Sequence, residues 1–115
     1  MSDPEALVVG IEKVEHAVVV RPSGDIDLSR SPELRGYLAQ VQKEKPRTII
    51  IDLDEVPYMD SSGLATLVEA MQNARKSGTT LVLCSLHDRV RSIFEIARLE
   101  QVFQIVGGVS EGLEA

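Results

Sequence analysis

The chain has 115 residues, 43% hydrophobic and 26% charged, which is the length and composition of one globular domain, and it carries a formal net charge of −6. Basic residues occur only as scattered pairs and aromatics make up 3%, so both the phosphate contacts and the stacking surfaces of a nucleic-acid binder are missing. A single cysteine, Cys84, rules out an internal disulfide and a thiol metal site; no apolar run approaches the roughly 20 residues of a membrane span; and the first residues, through Ala6, have neither the basic nor the long apolar region of a secretory signal. A cytoplasmic domain without membrane insertion is expected.

In chain order, Ala6 to Val14 and Ala17 to Arg21 are Val-rich stretches separated by Glu15 and His16, the pattern of two strands joined by a short hairpin connection. Pro22, Ser23, Gly24 and Asp25 break the second strand. Ser31, Pro32 and Glu33 follow as a capping serine, a proline in the first helical position and an acid in the first turn. Leu34, Leu38 and Val41 give that helix its apolar stripe, and Lys43, Lys45 and Pro46 end it. Thr48 to Leu53 is a continuous apolar run, the signature of a central strand covered on both faces.

A second helix from Ser62 to about Lys76 carries Leu64, Leu67, Val68 and Met71 on one face and stops near Ser77 and Gly78. It leads into a strand, Thr79 to Cys84, then a helix from about Asp88 to Ala97 with Val90, Ile93, Phe94 and Ala97 on one face, and a last short strand, Val102 to Val106. The order ββαβαβαβ predicts an α/β fold: a mostly parallel or mixed sheet of about five strands with crossover helices, in one domain over residues 1–115 with its core at about 8–108. Little chain follows Gly107 and Gly108 for a further helix.

Crossover connections align the carboxyl ends of parallel strands along one edge. The loops Ser23 to Ser29 and Asp54 to Ser62 are therefore expected on the same side, with Asp25, Asp27 and Ser61 as neighbours. In the second loop Asp60, Ser61, Ser62 and Gly63 stand where strand gives way to helix. On one reading the serines only cap the helix, so that Ser61→Ala would cost about 1 kcal/mol, and Asp25 and Asp27 are solvated turn residues. On the other, the unpaired N–H groups and partial positive charge of the helix start make Ser61 a position where a phosphate could sit. Between Arg47 and Arg75 there are five acids, Asp52, Asp54, Glu55, Asp60 and Glu69, and no base; this predicts a negative neighbourhood suited to a basic protein surface.

Catalytic readings fail on the residues. A serine hydrolase elbow needs glycine two before the serine, where Met59 stands, and His16 and His87 are the only histidines. As a calcium loop the acidic run has Pro57 where glycine is required. A phospho-aspartate receiver would need a lysine after its last strand, which Ile105, Val106, Gly107 and Gly108 do not provide, and no glycine-rich phosphate loop exists. No enzyme activity, metal or cofactor is expected.

Gly24-Asp25-Ile26-Asp27 after a strand, the strand ending in Asp52-Leu53, and Tyr58-Met59-Asp60-Ser61-Ser62-Gly63-Leu64 resemble the STAS family, most of all its bacterial anti-anti-sigma factors. The resemblance continues through Leu81 to Cys84 and Val90 to Phe94, and covers about residues 8 to 108. It implies that Ser61 accepts a phosphate from a partner that is both an anti-sigma factor and a serine kinase of the histidine-kinase-like ATPase fold. The unphosphorylated chain would bind that partner and free the sigma factor, and a PP2C-type phosphatase would restore it after modification. Asp27 corresponds to an acid that engages the kinase, so Asp27→Ala is expected to weaken the complex with the fold nearly intact. Asp25, Asp60, Ser62 and Gly63 complete the implied partner surface; Asp25 departs from the more common Glu. The resemblance also admits another role, a STAS subunit of an ABC-type lipid transport system or a stress-signalling scaffold, binding an ATPase or a STAS partner without phosphorylation.

Overall fold

A computed structural model describes residues 6–115; the reading of the first five residues as lacking a signal lies outside that range. The strands β1 (Val8–Val14) and β2 (Ala17–Ser23) form an antiparallel hairpin, turning through Glu15, which takes a positive φ of 56°. Then come α1 (Ser31–Lys43), β3 (Thr48–Asp52), α2 (Ser61–Ser77), β4 (Thr80–Cys84), α3 (Asp88–Ile96), β5 (Gln104–Val106) and α4 (Val109–Leu113). The sheet order is β1-β2-β3-β4-β5, and every pair from β2 onward is parallel. The expected mixed five-stranded sheet is present, with β3 at its centre.

The central position follows from the side chains. In β3, Ile49, Ile50 and Ile51 are all fully buried, which the alternation of a strand permits only where both faces are covered. Ile49 and Ile51 belong to the larger core with Val18, Val20, Leu81 and Leu83, beneath Leu34, Leu38, Leu67, Met71, Val90 and Phe94 of the helices. Consecutive strands joined by crossovers of one hand place all three connecting helices on the same face, so this side is thick. Phe94 and Phe103 meet edge to face in it, with centroids 5.3 Å apart.

The other face is thin. Ala17, Val19, Ile50, Val82 and Cys84 form a second cluster, covered by Val14, Val106 and the Val109 and Leu113 side chains of α4. This corrects the expectation that little chain remained for a C-terminal helix. Five residues show no helical period, yet they suffice because Gly112 brings the helix backbone down onto Ile50, with Cβ-equivalent contacts of 3.1 to 3.2 Å.

Other boundaries shift for local reasons. β2 runs through Pro22 to Ser23, because pairing to β3 ends at Val20 and proline there serves no parallel ladder. Ser31 does not cap α1: it is the first helical residue and buried, and Arg30 occupies the cap position with no side-chain cap of its own. The last strand begins at Gln104 instead of Val102, since Val102 and Phe103 are bonded to Leu99 in a turn.

Gly112→Leu is expected to lift α4 from the sheet. Burial pushes the Cys84 thiol up to about 11, so it is unreactive while covered. An overpacking cost of about 1 to 3 kcal/mol corresponds to roughly a 5- to 150-fold faster labelling of Cys84 by a disulfide reagent under native conditions. Equal labelling rates in parent and variant would show that α4 does not cover this face.

Candidate functional site

The two loops expected to be neighbours are bonded to each other through the main chain. After β3, Leu53 N–H extends the ladder to Cys84 O at 3.0 Å, and a turn through Asp54 and Glu55 closes with Val56 N–H on Leu53 O at 3.0 Å. The chain then runs beside residues 24–26. Gly24 N–H donates to Glu55 O at 2.9 Å, Ile26 N–H to Tyr58 O at 3.0 Å, and Asp60 N–H to Ile26 O at 3.1 Å, with Ile26 and Met59 in a parallel bridge. Ile26, Val56 and Met59 are buried completely. The loops are thus a narrow extension of the sheet anchored by three apolar side chains.

Asp60 joins this extension to α2. It is the N-cap, and its Oδ1 accepts the N–H groups of Ser62 at 2.9 Å and Gly63 at 3.3 Å together with the Ser62 hydroxyl. Its Oδ2 accepts Leu28 N–H at 3.1 Å across the two loops. These donors, the Ser62 hydroxyl foremost and then the three backbone N–H groups, hold the carboxyl below its ordinary range against an opposing desolvation. Gly63 makes the junction possible, because a Cβ there would stand 2.6 Å from Met59 Cγ, 2.9 Å from Ile26 Cγ2 and 3.0 Å from Ile26 O.

Ser61 is the first residue of α2 and is exposed. It does not cap the helix, contrary to the capping reading of the serines. Its hydroxyl makes no hydrogen bond among the described residues, whereas that of Ser62 is committed to Asp60. The anion position at the helix start is also already filled, by the Asp60 carboxylate.

Asp27 is partly exposed, as a turn residue would be, and its carboxylate is also bonded locally. Its Oδ1 accepts Ser29 N–H at 3.1 Å, the Ser29 hydroxyl at 2.7 Å and Arg30 N–H at 3.1 Å, and its Oδ2 pairs with the Arg30 guanidinium at 3.1 Å. The Ser29 hydroxyl is the main cause holding this carboxyl low. Its main-chain oxygen accepts Ser31 N–H at 2.8 Å, so Asp27 builds the entry to α1. Asp25, by contrast, is exposed, with no ion pair or hydrogen bond of its side chain among the described residues.

The acidic stretch is less uniform in space than in sequence. Asp52 pairs with Arg21 at 3.3 Å, Glu69 with Arg35 at 2.8 Å, and Arg89 of α3 stacks over Tyr58 at 5.6 Å. Asp25, Asp54, Glu55 and Asp60 retain the negative character. His87, at the N-cap position of α3, bonds through Nε2 to Asp54 O instead of capping its helix. Leu28, 75% exposed beside Asp60, was not singled out by sequence reasoning; its only signal is an apolar residue in the otherwise polar run Asp27 to Arg30.

The family model for the STAS domain matches residues 9–112. An anti-sigma-B factor antagonist of Listeria monocytogenes is 37% identical over 83 residues, which are 72% of this chain and 73% of that protein. The crystal structure of an anti-sigma factor antagonist from Mycobacterium paratuberculosis superposes with a TM-score of 0.88 at 23% identity, over 99% of this chain and 97% of that one. The Bacillus cell fate determinant SpoIIAA in its phosphorylated form gives a TM-score of 0.70 at 19% identity, over 90% of this chain and 96% of that one.

Two outcomes test the geometry. Gly63→Ala is expected to lower stability by about 1 to 3 kcal/mol in urea denaturation, since the Ile26 carbonyl and the buried Ile26 and Met59 side chains cannot all withdraw; an unchanged midpoint would show a looser junction. For acid, the sign follows from the lowered carboxyls of Asp27 and Asp60. Their stabilisation is complete above the unfolded value of 3.8 and is lost as pH falls through the lower folded values. Asp60→Asn, which keeps an acceptor oxygen, should therefore show a shallower loss of stability below pH 3.8 than the parent, measured by thermal midpoint against pH.

Proposed function

Because the chain belongs to the STAS domain family, we propose that it is an anti-sigma factor antagonist switched by phosphorylation of Ser61. The observation that carries the reading is the pair of neighbouring hydroxyls with opposite fates: Ser62 donates to Asp60, while Ser61 is exposed and makes no hydrogen bond among the described residues. This favours Ser61 as the acceptor. The curated relative is named for the same activity, and a protein of the same fold is known in a phosphorylated form.

In this reading the unmodified chain docks its Ser61 edge on an anti-sigma factor that is also a serine kinase of the histidine-kinase-like ATPase fold, and the sigma factor is released. The chain supplies the acceptor oxygen and its placement at a rigid helix start; the partner supplies ATP. Transfer adds a charge of about −1.5 to −2 next to the Asp60 carboxylate and near Asp25. Asp60 already holds the Ser62 and Gly63 N–H groups, so the new charge gains little from the helix start and faces a carboxylate at once. A coupling of about 1 to 3 kcal/mol, roughly 5- to 150-fold in affinity, is what such local repulsion and desolvation supply. A PP2C-type phosphatase returns the site to its binding state, and no cofactor, nucleic acid or membrane insertion enters the cycle.

Calorimetric titration against the anti-sigma partner tests this. Ser61→Ala should bind as the parent does and, because Asp60 is the cap, stay within about 0.5 kcal/mol of its stability. Ser61→Asp should fold equally well and bind weakly. Phosphopeptide mapping after incubation with partner and ATP should find the phosphate on Ser61; modification confined to Ser62, or tight binding by Ser61→Asp, would overturn the switch.

A further inference from the structure

Large apolar side chains are exposed at several places, among them Ile96 at the end of α3 (84%), Val8 at the start of β1 (68%) and Leu28 (75%). Leu28 alone of these three sits in the joined loops. Its own N–H is held by Asp60 Oδ2. On one side Ile26 is bridged to Met59; on the other Asp27 closes the turn through Ser29, Arg30 and Ser31. An apolar side chain therefore stands in water on a backbone fixed from both ends, next to the residue that precedes Ser61. No other part of the described chain covers it.

We propose that Leu28 is the apolar anchor by which this protein seats on its partner, and that Asp60 is the positioning residue that presents it. The proposal rests on the antagonist reading and adds a contact to it. A side chain carried on a fixed backbone has only its own rotamers to order on binding, which favours a strong contribution from one residue to an interface. The occupant is a protein pocket that is apolar at its floor and cationic at its rim, since Leu28 is held by the Asp60 carboxylate and its loop also carries Asp25, an exposed acid three residues earlier that forms no ion pair among the described residues. A second copy of this chain fits poorly, because the same acids would face each other and the chain already carries a net charge of −6. One carboxylate thus holds both the anchor and the helix start on which Ser61 stands, so a phosphate arriving at Ser61 adds its charge against the support of the apolar contact.

The test is titration of unmodified parent, Leu28→Ala, Leu28→Met and Ile96→Ala against the anti-sigma partner, with thermal midpoints and sedimentation of each free chain. Leu28→Ala is expected to bind about tenfold or more weakly, as truncating an anchor does. Leu28→Met should recover most of the affinity, Ile96→Ala should match the parent, and all midpoints should agree. Equal binding by parent and Leu28→Ala would overturn the anchor and leave the antagonist reading standing. A parent that does not bind would sink that reading and the anchor with it. A lower midpoint in Leu28→Ala, or a dimer of the parent that the substitution breaks, would reassign Leu28 to the fold or to self-association and also overturn the proposal.

Discussion

A single carboxylate, that of Asp60, is shared by two segments more than thirty residues apart. One of its oxygens meets the orphan N–H groups of α2 and the other meets Leu28 in the loop after β2. Without it the helix start would carry unpaired donors and the two loops would lose the side-chain hydrogen bond that ties Leu28 to Asp60. With it, the end of β2, the end of β3 and the beginning of α2 form one unit. The constraint also dictates composition around it. Only glycine fits at position 63, and residues 26 and 59 must be apolar enough to be buried beneath the joined loops.

Most of the sheet was legible from the chain because its signals are long and mutually consistent. The apolar run of β3, the periodic faces of α1, α2 and α3, and the order of elements lead to a mixed sheet with aligned carboxyl ends, and thence to adjacent loops. What misled was competition between equivalent residues. Asp60 and Ser61 are both good caps, and only the backbone decides: Asp60 is extended, with ψ of −173°, while Ser61 is already helical. The same ambiguity made Ser31 look like a cap, although Asp27, four residues earlier, organises that entry.

Two further features had no usable signal. The helix α4 is too short for a period and depends on a glycine meeting Ile50, a contact between distant residues. The electrostatics of the site likewise depend on distant partners, since Arg21 and Arg89 approach from outside the acidic stretch. A count of charges along the chain recovers the sign of the region, whereas its distribution is decided by packing. Leu28 falls between these cases: an apolar residue in a polar turn is visible, but its rigidity arises from Asp60.

The bonds that join the two loops run almost wholly through main-chain atoms, from Gly24 to Glu55, Ile26 to Tyr58 and Asp60 to Ile26. Such bonds are indifferent to the side chains at those positions. The outward residues, 25, 28, 55 and 58 among them, can therefore be exchanged while Ser61 keeps its place. Duplicated copies of this domain can differ in whom they recognise and still present the same serine at the same helix start. Architecture of this kind separates the surface that sets specificity from the scaffold that holds the serine, so that related copies remain insulated from one another's partners.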